Sequence, residues 1–273
     1  MFIPCPCGYN WGMNLPVMMT IAGSDCSAGA GLQADLKAAQ AMGAFALTAV
    51  TCVVSEVPGI VRGIQEVDAS LVADQVAINL QHFPVRAIKT GMLYSPAIVR
   101  AVHEILRDTA IPLVVDPVMI ATAGSRLMRE EAVAVYEKLL LPRAALLTPN
   151  LDEAAVLLRR SSLPVREEMV SSAMSLASRY GCPVLLKGGH LDGDCLDVLA
   201  DSDGVILGEW TRPRVQDVST HGTGCTLSAA ITARLAAGED LASAVGQGLE
   251  YVAGAIRNHL RWEIPCRVDA LNL

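Results

Sequence analysis

The stretch 17-VMMTIAGSDCSAGAGLQADLKAAQ-40 decides the fold class. Val17 to Ala22 is a short apolar run carrying a single threonine, the pattern of a strand buried on both faces. Gly23 to Gly31 follows with three glycines, which let a backbone turn tightly and approach a ligand closely. From Leu32 onward the chain becomes an Ala-rich helix. A strand, a glycine loop and a helix in that order predict the first half of a βαβ unit.

Outward from this unit the same alternation recurs. Strands are expected at Phe45 to Val54, Val85 to Thr90, Leu113 to Asp116, Ala144 to Thr148 and Pro183 to Lys187. Helices fall between them: Val72, Val76 and Leu80 form one stripe, and Ser95-Pro96 caps a helix with Ile98, Val102 and Ile105 on one face. Tyr180-Gly181 stops another helix. Beyond Lys187, the runs Cys195 to Leu199, Val205 to Leu207 and Thr211 to Val215 read as short antiparallel strands. Two helices, about Gly224 to Ala236 and Leu241 to Leu260, complete the pattern. The expectation is one α/β domain over 17–262 with a mostly parallel sheet, a disordered lead-in over 1–16 and a tail over 263–273, with Met13 and Met18 as alternative starts.

Composition fits such a sheet, because 52% of residues are hydrophobic and only 4% aromatic. An aliphatic core follows. The longest apolar runs, Ala44 to Val54 and Ile111 to Ala121, fall short of a membrane span, and the second holds Asp116 and Pro117. No secretory signal is legible at the N-terminus, which lacks a basic region. A net charge of -7 with no basic run argues against nucleic acid as partner. The eight cysteines form no Cys-x-x-Cys pair, and His103-Glu104 is followed by Arg107 where a zinc helix needs histidine. Scattered cysteines suit the reducing cytoplasm.

Ligands of open α/β sheets bind beyond the carboxyl ends of the strands, which directs attention to four loops. Gly29 to Ala34 matches G-x-G-x-x-A, and with Glu56 as acidic partner it leaves a nicotinamide-dinucleotide reading open beside a structural turn. No G-x-x-x-x-G-K-[ST] occurs, so a P-loop is excluded. In Thr148-Pro-Asn-Leu-Asp-Glu153, Asn150 and Glu153 either hold hydrated Mg²⁺ or form a capping box, and the spacing favours the cap. Lys187 ends an apolar strand before Gly188-Gly189 and suits either an anion contact or a solvent-exposed strand end. His221-Gly-Thr-Gly-Cys225 opens a helix, where backbone N–H groups make an anion site and the helix dipole is expected to lower the Cys225 pKa. A small buried cysteine is the alternative.

Taken together, TIAGSDCSAGAGLQADLKA (20–38), AIKTGML (87–93), VVDPVM (114–119), LLTPNLDEA (146–154), VLLKGGH (184–190) and HGTGCTLSAAI (221–231) resemble the ribokinase-like superfamily. Within it they are similar to the hydroxymethylpyrimidine/phosphomethylpyrimidine kinases of thiamine biosynthesis. The resemblance implies a three-layer fold, a homodimer, ATP with Mg²⁺, and a small heteroaromatic alcohol as substrate. It implies that Gly222, Thr223, Gly224 and Cys225 form the anion hole, with Cys225 as the base. It also implies that Lys187, Asn150, Gly222 and Gly224 meet ATP, that Glu153, Asn150 and Asp116 organise Mg²⁺, and that Gly23, Ala30, Asp35, Met92 and Val118 surround the ring. One position departs from the family: Thr51-Cys-Val-Val-Ser-Glu56 places glutamate where glutamine is usual. Ionised glutamate only accepts hydrogen bonds, whereas glutamine also donates, so pyridoxal kinase of the same branch stays open as an alternative.

Overall fold

The computed structural model describes residues 15–119, 130–218, 221–263 and 267–273. The lead-in over 1–14, the start at Met13 and residues Cys5, Cys7 and Cys266 lie outside the described residues. The chain opens with β1 (Val17–Asp25), α1 (Gly31–Ala41), β2 (Phe45–Val57) and β3 (Ile60–Glu66). There follow α2 (Ala69–His82), β4 (Val85–Thr90), α3 (Pro96–Leu106), β5 (Leu113–Val115), α4 (Glu130–Leu139), β6 (Leu146–Leu147), α5 (Leu151–Leu158), α6 (Met169–Tyr180) and β7 (Val184–Leu186). Then come β8 (Cys195–Ala200), β9 (Ile206–Arg212), α7 (Thr223–Ala236), α8 (Leu241–Arg257), β10 (Leu260–Trp262) and β11 (Val268–Ala270).

Nine strands form one sheet in the order β3-β2-β1-β4-β5-β6-β7-β8-β9. The six from β2 to β7 run parallel, and β3, β8 and β9 add antiparallel edges. The chain steps from β1 to β2 in one direction and later from β4 to β7 in the other. The order therefore reverses between β1 and β4, where open α/β sheets bind ligands.

Side-chain alternation assigns the helices to layers. Met19, Ile21, Ile88 and Val115 pack against α2 through α6, while Met18, Ala87, Val114 and Leu185 pack against α1, α7 and α8. Both faces are covered, which explains strands with few polar residues. Lys89 shares the parity of Ala87, so the same alternation aims this lysine at α1 and α7, and it is fully buried there.

Three expectations need correction. Helix α8 ends at Arg257, and Leu260–Trp262 instead pairs antiparallel with Val268–Ala270, so part of the expected tail is a strand. The two short strands at 205–207 and 211–215 are one strand, β9, ending at Arg212 before Pro213. Strand β3 was not expected. It is short, largely solvent-facing and lacks the apolar density of the others, and Pro58-Gly59 turns the chain back into it.

Candidate active site

A cleft of about 450 Å³ opens along the carboxyl ends of the parallel strands. Its floor at the reversal point is made by Gly23, Ala30, Gly91 and Met92, with Val118 and Glu56 on the same side. Glu56 reaches it because the pairing of β2 with β3 slips at Ser55/Glu56. An irregularity of that kind re-aims a side chain. Burial, with Asp25 adding to it and His221 opposing it, raises the Glu56 carboxyl above its ordinary range.

The glycine loop and the start of α7 are interlocked. Gly222 caps α7 with φ +83°, and a Cβ there would lie 1.8 Å from the Gly29 carbonyl oxygen, so only glycine fits. His221 Nε2 lies 3.1 Å from Asp25 Oδ2, and Asp25 also accepts from the amides of Ser27 and Ala30. Burial would raise the Asp25 pKa, but the bonds from His221, Ser27 and Ala30 prevail and hold it down at about 2. No side chain caps α7. Its first-turn N–H groups cannot be paired within the helix, and the residues carrying them, Thr223, Gly224 and Cys225, line the cleft.

Beneath this helix start lies a polar cluster. Lys187 Nζ donates to Asp116 Oδ1 at 3.2 Å, and Ser228 Oγ donates to Asp116 Oδ2 at 3.1 Å. A Cβ on Gly224 would be 3.2 Å from the Lys187 ammonium and 3.8 Å from Asp116 Oδ2, so the glycine opens the amide loop to that charge. Although burial favours loss of its proton, Asp116 and Glu153 hold Lys187 protonated, above its ordinary range. Glu153 is itself buried; burial, opposed by Lys187 and reinforced by Asp116, pushes its pKa up to about 8.

The capping box is complete: Asn150 Oδ1 accepts from the Glu153 amide and Glu153 Oε2 accepts from the Asn150 amide, both at 2.9 Å. Asn150 lines the cleft, but its side-chain oxygen is committed to the helix. Through this box Asn150 also holds the Glu153 backbone and side chain in place. Among the described residues, no group of three or more His, Cys, Asp or Glu is arranged to hold a metal.

Two further corrections concern charge. Asp35 does not line the cleft: it is fully buried on α1, bonded to Lys89 at 2.6 and 2.8 Å and to Thr20 at 2.5 Å, so it cannot touch the ring. Cys225 does line the cleft, but its thiol is not acidic. Burial pushes the pKa up to about 12, with Lys89 and the Gly31 amide opposing and Asp116 and Asp35 adding. The helix start does not overcome desolvation beside two carboxylates.

Lys89, Asp25, His221 and Ser228 were missed as site-supporting residues. Lys89 alone left a signal, as a charge in the middle of a strand that is otherwise buried.

Comparison with known proteins agrees with this geometry. The model of the family described as phosphomethylpyrimidine kinase matches residues 25–265. The chain belongs to that family. A Streptomyces coelicolor protein named hydroxymethylpyrimidine/phosphomethylpyrimidine kinase is 38% identical over 244 residues, 88% of each chain. A Rhizobium meliloti protein of the same name is 38% identical over 249 residues, 91% of this chain and 93% of that one. A longer Schizosaccharomyces pombe protein is 39% identical over 259 residues, and the chain spans about half of it, 47%. Among solved structures, an ADP complex of Bacillus subtilis pyridoxal kinase superposes with TM-score 0.85 at 29% identity, covering 94% of this chain and 98% of that one. A Clostridium difficile phosphomethylpyrimidine kinase superposes with TM-score 0.75 at 33% identity, covering 88% and 99%. As a member of this kinase family the chain is a phosphotransferase with the expected three-layer fold, and the nicotinamide reading falls.

Proposed function

We propose that the cleft transfers the γ-phosphoryl group of ATP to the hydroxymethyl group of 4-amino-5-hydroxymethyl-2-methylpyrimidine, and then to its monophosphate, in thiamine biosynthesis. The observation that carries the reading is the junction at Gly224, where the start of α7, Lys187 and Asp116 converge on one end of a cleft whose other end is apolar. The ring lies against Ala30, Met92 and Val118, with Glu56 accepting from its exocyclic amine. The apolar strip of Val215, Val252, Ala253 and Ile256 takes the adenine.

Phosphoryl transfer is mostly positioning and charge stabilisation. The N–H groups of Gly224 and Cys225 and the Lys187 ammonium meet the charge on the moving group. The substrate oxygen forms its bond to γ-phosphorus as the bond from phosphorus to the bridging oxygen breaks and ADP leaves. The substrate proton passes to Cys225 Sγ. That step needs the thiolate, and the positive charge that favours it comes from Lys89 and Lys187.

Asp116 and Glu153 fit Mg²⁺ as a pair, because Asp116 adds to the burial that raises the proton affinity of Glu153, and a divalent cation would relieve that repulsion. Mg²⁺ keeps several waters and is commonly held by one or two carboxylates with substrate phosphates. When bound there it would neutralise phosphate charge. The expected homodimer would use the exposed apolar residues Val53, Val57 and Ile60 of the β2–β3 edge. Cytoplasmic residence follows the cysteine pattern, and no helix among the described residues is long and apolar enough to cross a membrane.

The pyridoxal kinase reading keeps one specific support, Glu56 in place of glutamine. Purified protein with Mg-ATP is assayed for ADP release on the pyrimidine alcohol, its monophosphate and pyridoxal. Turnover on both pyrimidines is expected; turnover on pyridoxal alone would overturn the reading. Glu56→Gln is expected to change the ratio among the three substrates while leaving the fold intact.

A further inference from the structure

Asp197 is a carboxylate in the wall of the cleft, only 5% exposed, that takes no part in the steps of the transfer. It stands on β8, the strand at which the sheet turns antiparallel. Its Oδ1 accepts from the Gly188 amide at 2.9 Å, and its Oδ2 accepts from Arg212 of β9. An ion pair this far from water adds little to stability, because desolvation offsets the attraction. Nor does the sheet need this side chain to hold its edge. Val184, Leu185 and Leu186 of β7 already pair with Ala200, Leu199 and Val198.

The register supplies a reason. Continued by one step, the same pairing sets Asp197 opposite Lys187. The backbone ladder stops there, and the carboxylate takes the next amide, that of Gly188, in its place. A Cβ on Gly188 would lie 2.0 Å from the Leu196 carbonyl oxygen, so the loop is pressed against β8 and only glycine permits the approach. On the other flank, the Lys187 amide donates to the Pro149 carbonyl at 2.9 Å. The peptides before and after Lys187 are thus gripped from opposite sides. Arg214, also beyond β8, donates to the Gly193 carbonyl at 3.1 Å and ties the far end of the same loop. A lysine stem is flexible, so its backbone is the part that the fold can fix.

We propose that Asp197 is a positioning residue for the phosphoryl transfer: by holding the Gly188 amide it fixes the peptide that follows Lys187, and so fixes where the ammonium stands beside Gly224 and Asp116. Displacement of a catalytic contact by about 1 Å can cost on the order of 10²-fold in rate, even when its cause lies away from the chemistry. The inference rests on the reading of Lys187 as a donor to the moving phosphoryl group.

The test is a double-mutant cycle. Asp197→Leu, Lys187→Met and the protein carrying both are assayed for kcat and KM with Mg-ATP and the pyrimidine alcohol, beside their urea unfolding midpoints. Asp197→Leu is expected to lower kcat by about 10- to 100-fold. The KM for the alcohol, whose ring lies at the other end of the cleft, should hold. In the Lys187→Met background the same substitution should change kcat by no more than about twofold, because the group it positions has gone. Losses that multiply in the double variant would overturn the proposal alone, whereas parental turnover by Lys187→Met would overturn the reading of Lys187 and the proposal with it. Asp197→Asn keeps an oxygen for the Gly188 amide but not the ion pair, and it should recover most of kcat. A loss as deep as that of Asp197→Leu would assign the effect to Arg212 and overturn the proposal. If Asp197→Leu does not fold, Asp197→Leu/Arg212→Leu takes its place in the cycle, compared against Arg212→Leu, since it strands no charge in the wall.

Discussion

Two lysine–aspartate pairs lie close to the cleft, one behind Gly91 and one beside Gly224, and they differ in one respect. Lys89–Asp35 is sealed, with both side chains 0% exposed, whereas Lys187–Asp116 opens on the cleft, with the lysine 13% exposed. The sealed pair satisfies itself: carboxylate, ammonium and a threonine hydroxyl close on one another. The open pair is bonded at 3.2 Å, with Asp116 Oδ1 as the side-chain acceptor of Lys187. The same two residue types thus form a sealed scaffold in one place and an open pair at the cleft in the other.

The largest effect should come from breaking the sealed pair. Asp35→Ala strands a buried ammonium and is expected to cost about 3–5 kcal/mol in urea unfolding. An unchanged midpoint would show that the site is wetter than its burial indicates. Lys187→Met should act chiefly on the reaction: turnover falls by about 10²–10³ as a donor to the moving charge is lost, with a smaller loss of unfolding midpoint because the buried Asp116 loses this partner but keeps its bond from Ser228. Similar losses of stability in both variants would erase the distinction between the pairs.

Asp25–His221 is an intermediate case, joining two loops at the cleft. The folded pKa of Asp25 is depressed to about 2 from an ordinary 3.8. The group therefore contributes stability that is present above about pH 4 and is lost as pH falls towards 2. Asp25→Asn should flatten that part of the acid unfolding profile, and an unaltered acid limb would exclude the link. The smallest effect is expected at the capping box. Asn150→Ala should cost about 1 kcal/mol in unfolding. It should also raise the KM for Mg-ATP modestly, because Glu153 loses the partner that holds it.

The parallel core was legible in the chain because its strands are short, aliphatic and bounded by glycine or proline, as at Val85–Thr90, whose limits were read to the residue. The hairpin strand Ile60–Glu66 was not, because its alternation is masked by charge and glycine and its partner contacts lie across a turn. The loop residues of the cleft could be found from glycine spacing and lysine placement. Asp35 was misplaced because a motif reports which residues occur near a ligand, not which face of a helix they occupy. The Cys225 charge state was misread for a related reason. A helix start is visible in sequence, while the carboxylates of Asp35 and Asp116 come near the sulfur only through tertiary packing.

The contact between the Gly29 carbonyl and Gly222 carries a further consequence. Because the Gly29 and Gly222 backbones touch, and the His221–Asp25 contact ties the same two loops, the spacing of these loops is a product of folding. On the proposed reading, neither substrate has to draw the other's pocket into range. The gap that the phosphoryl group crosses is gauged by the backbone itself.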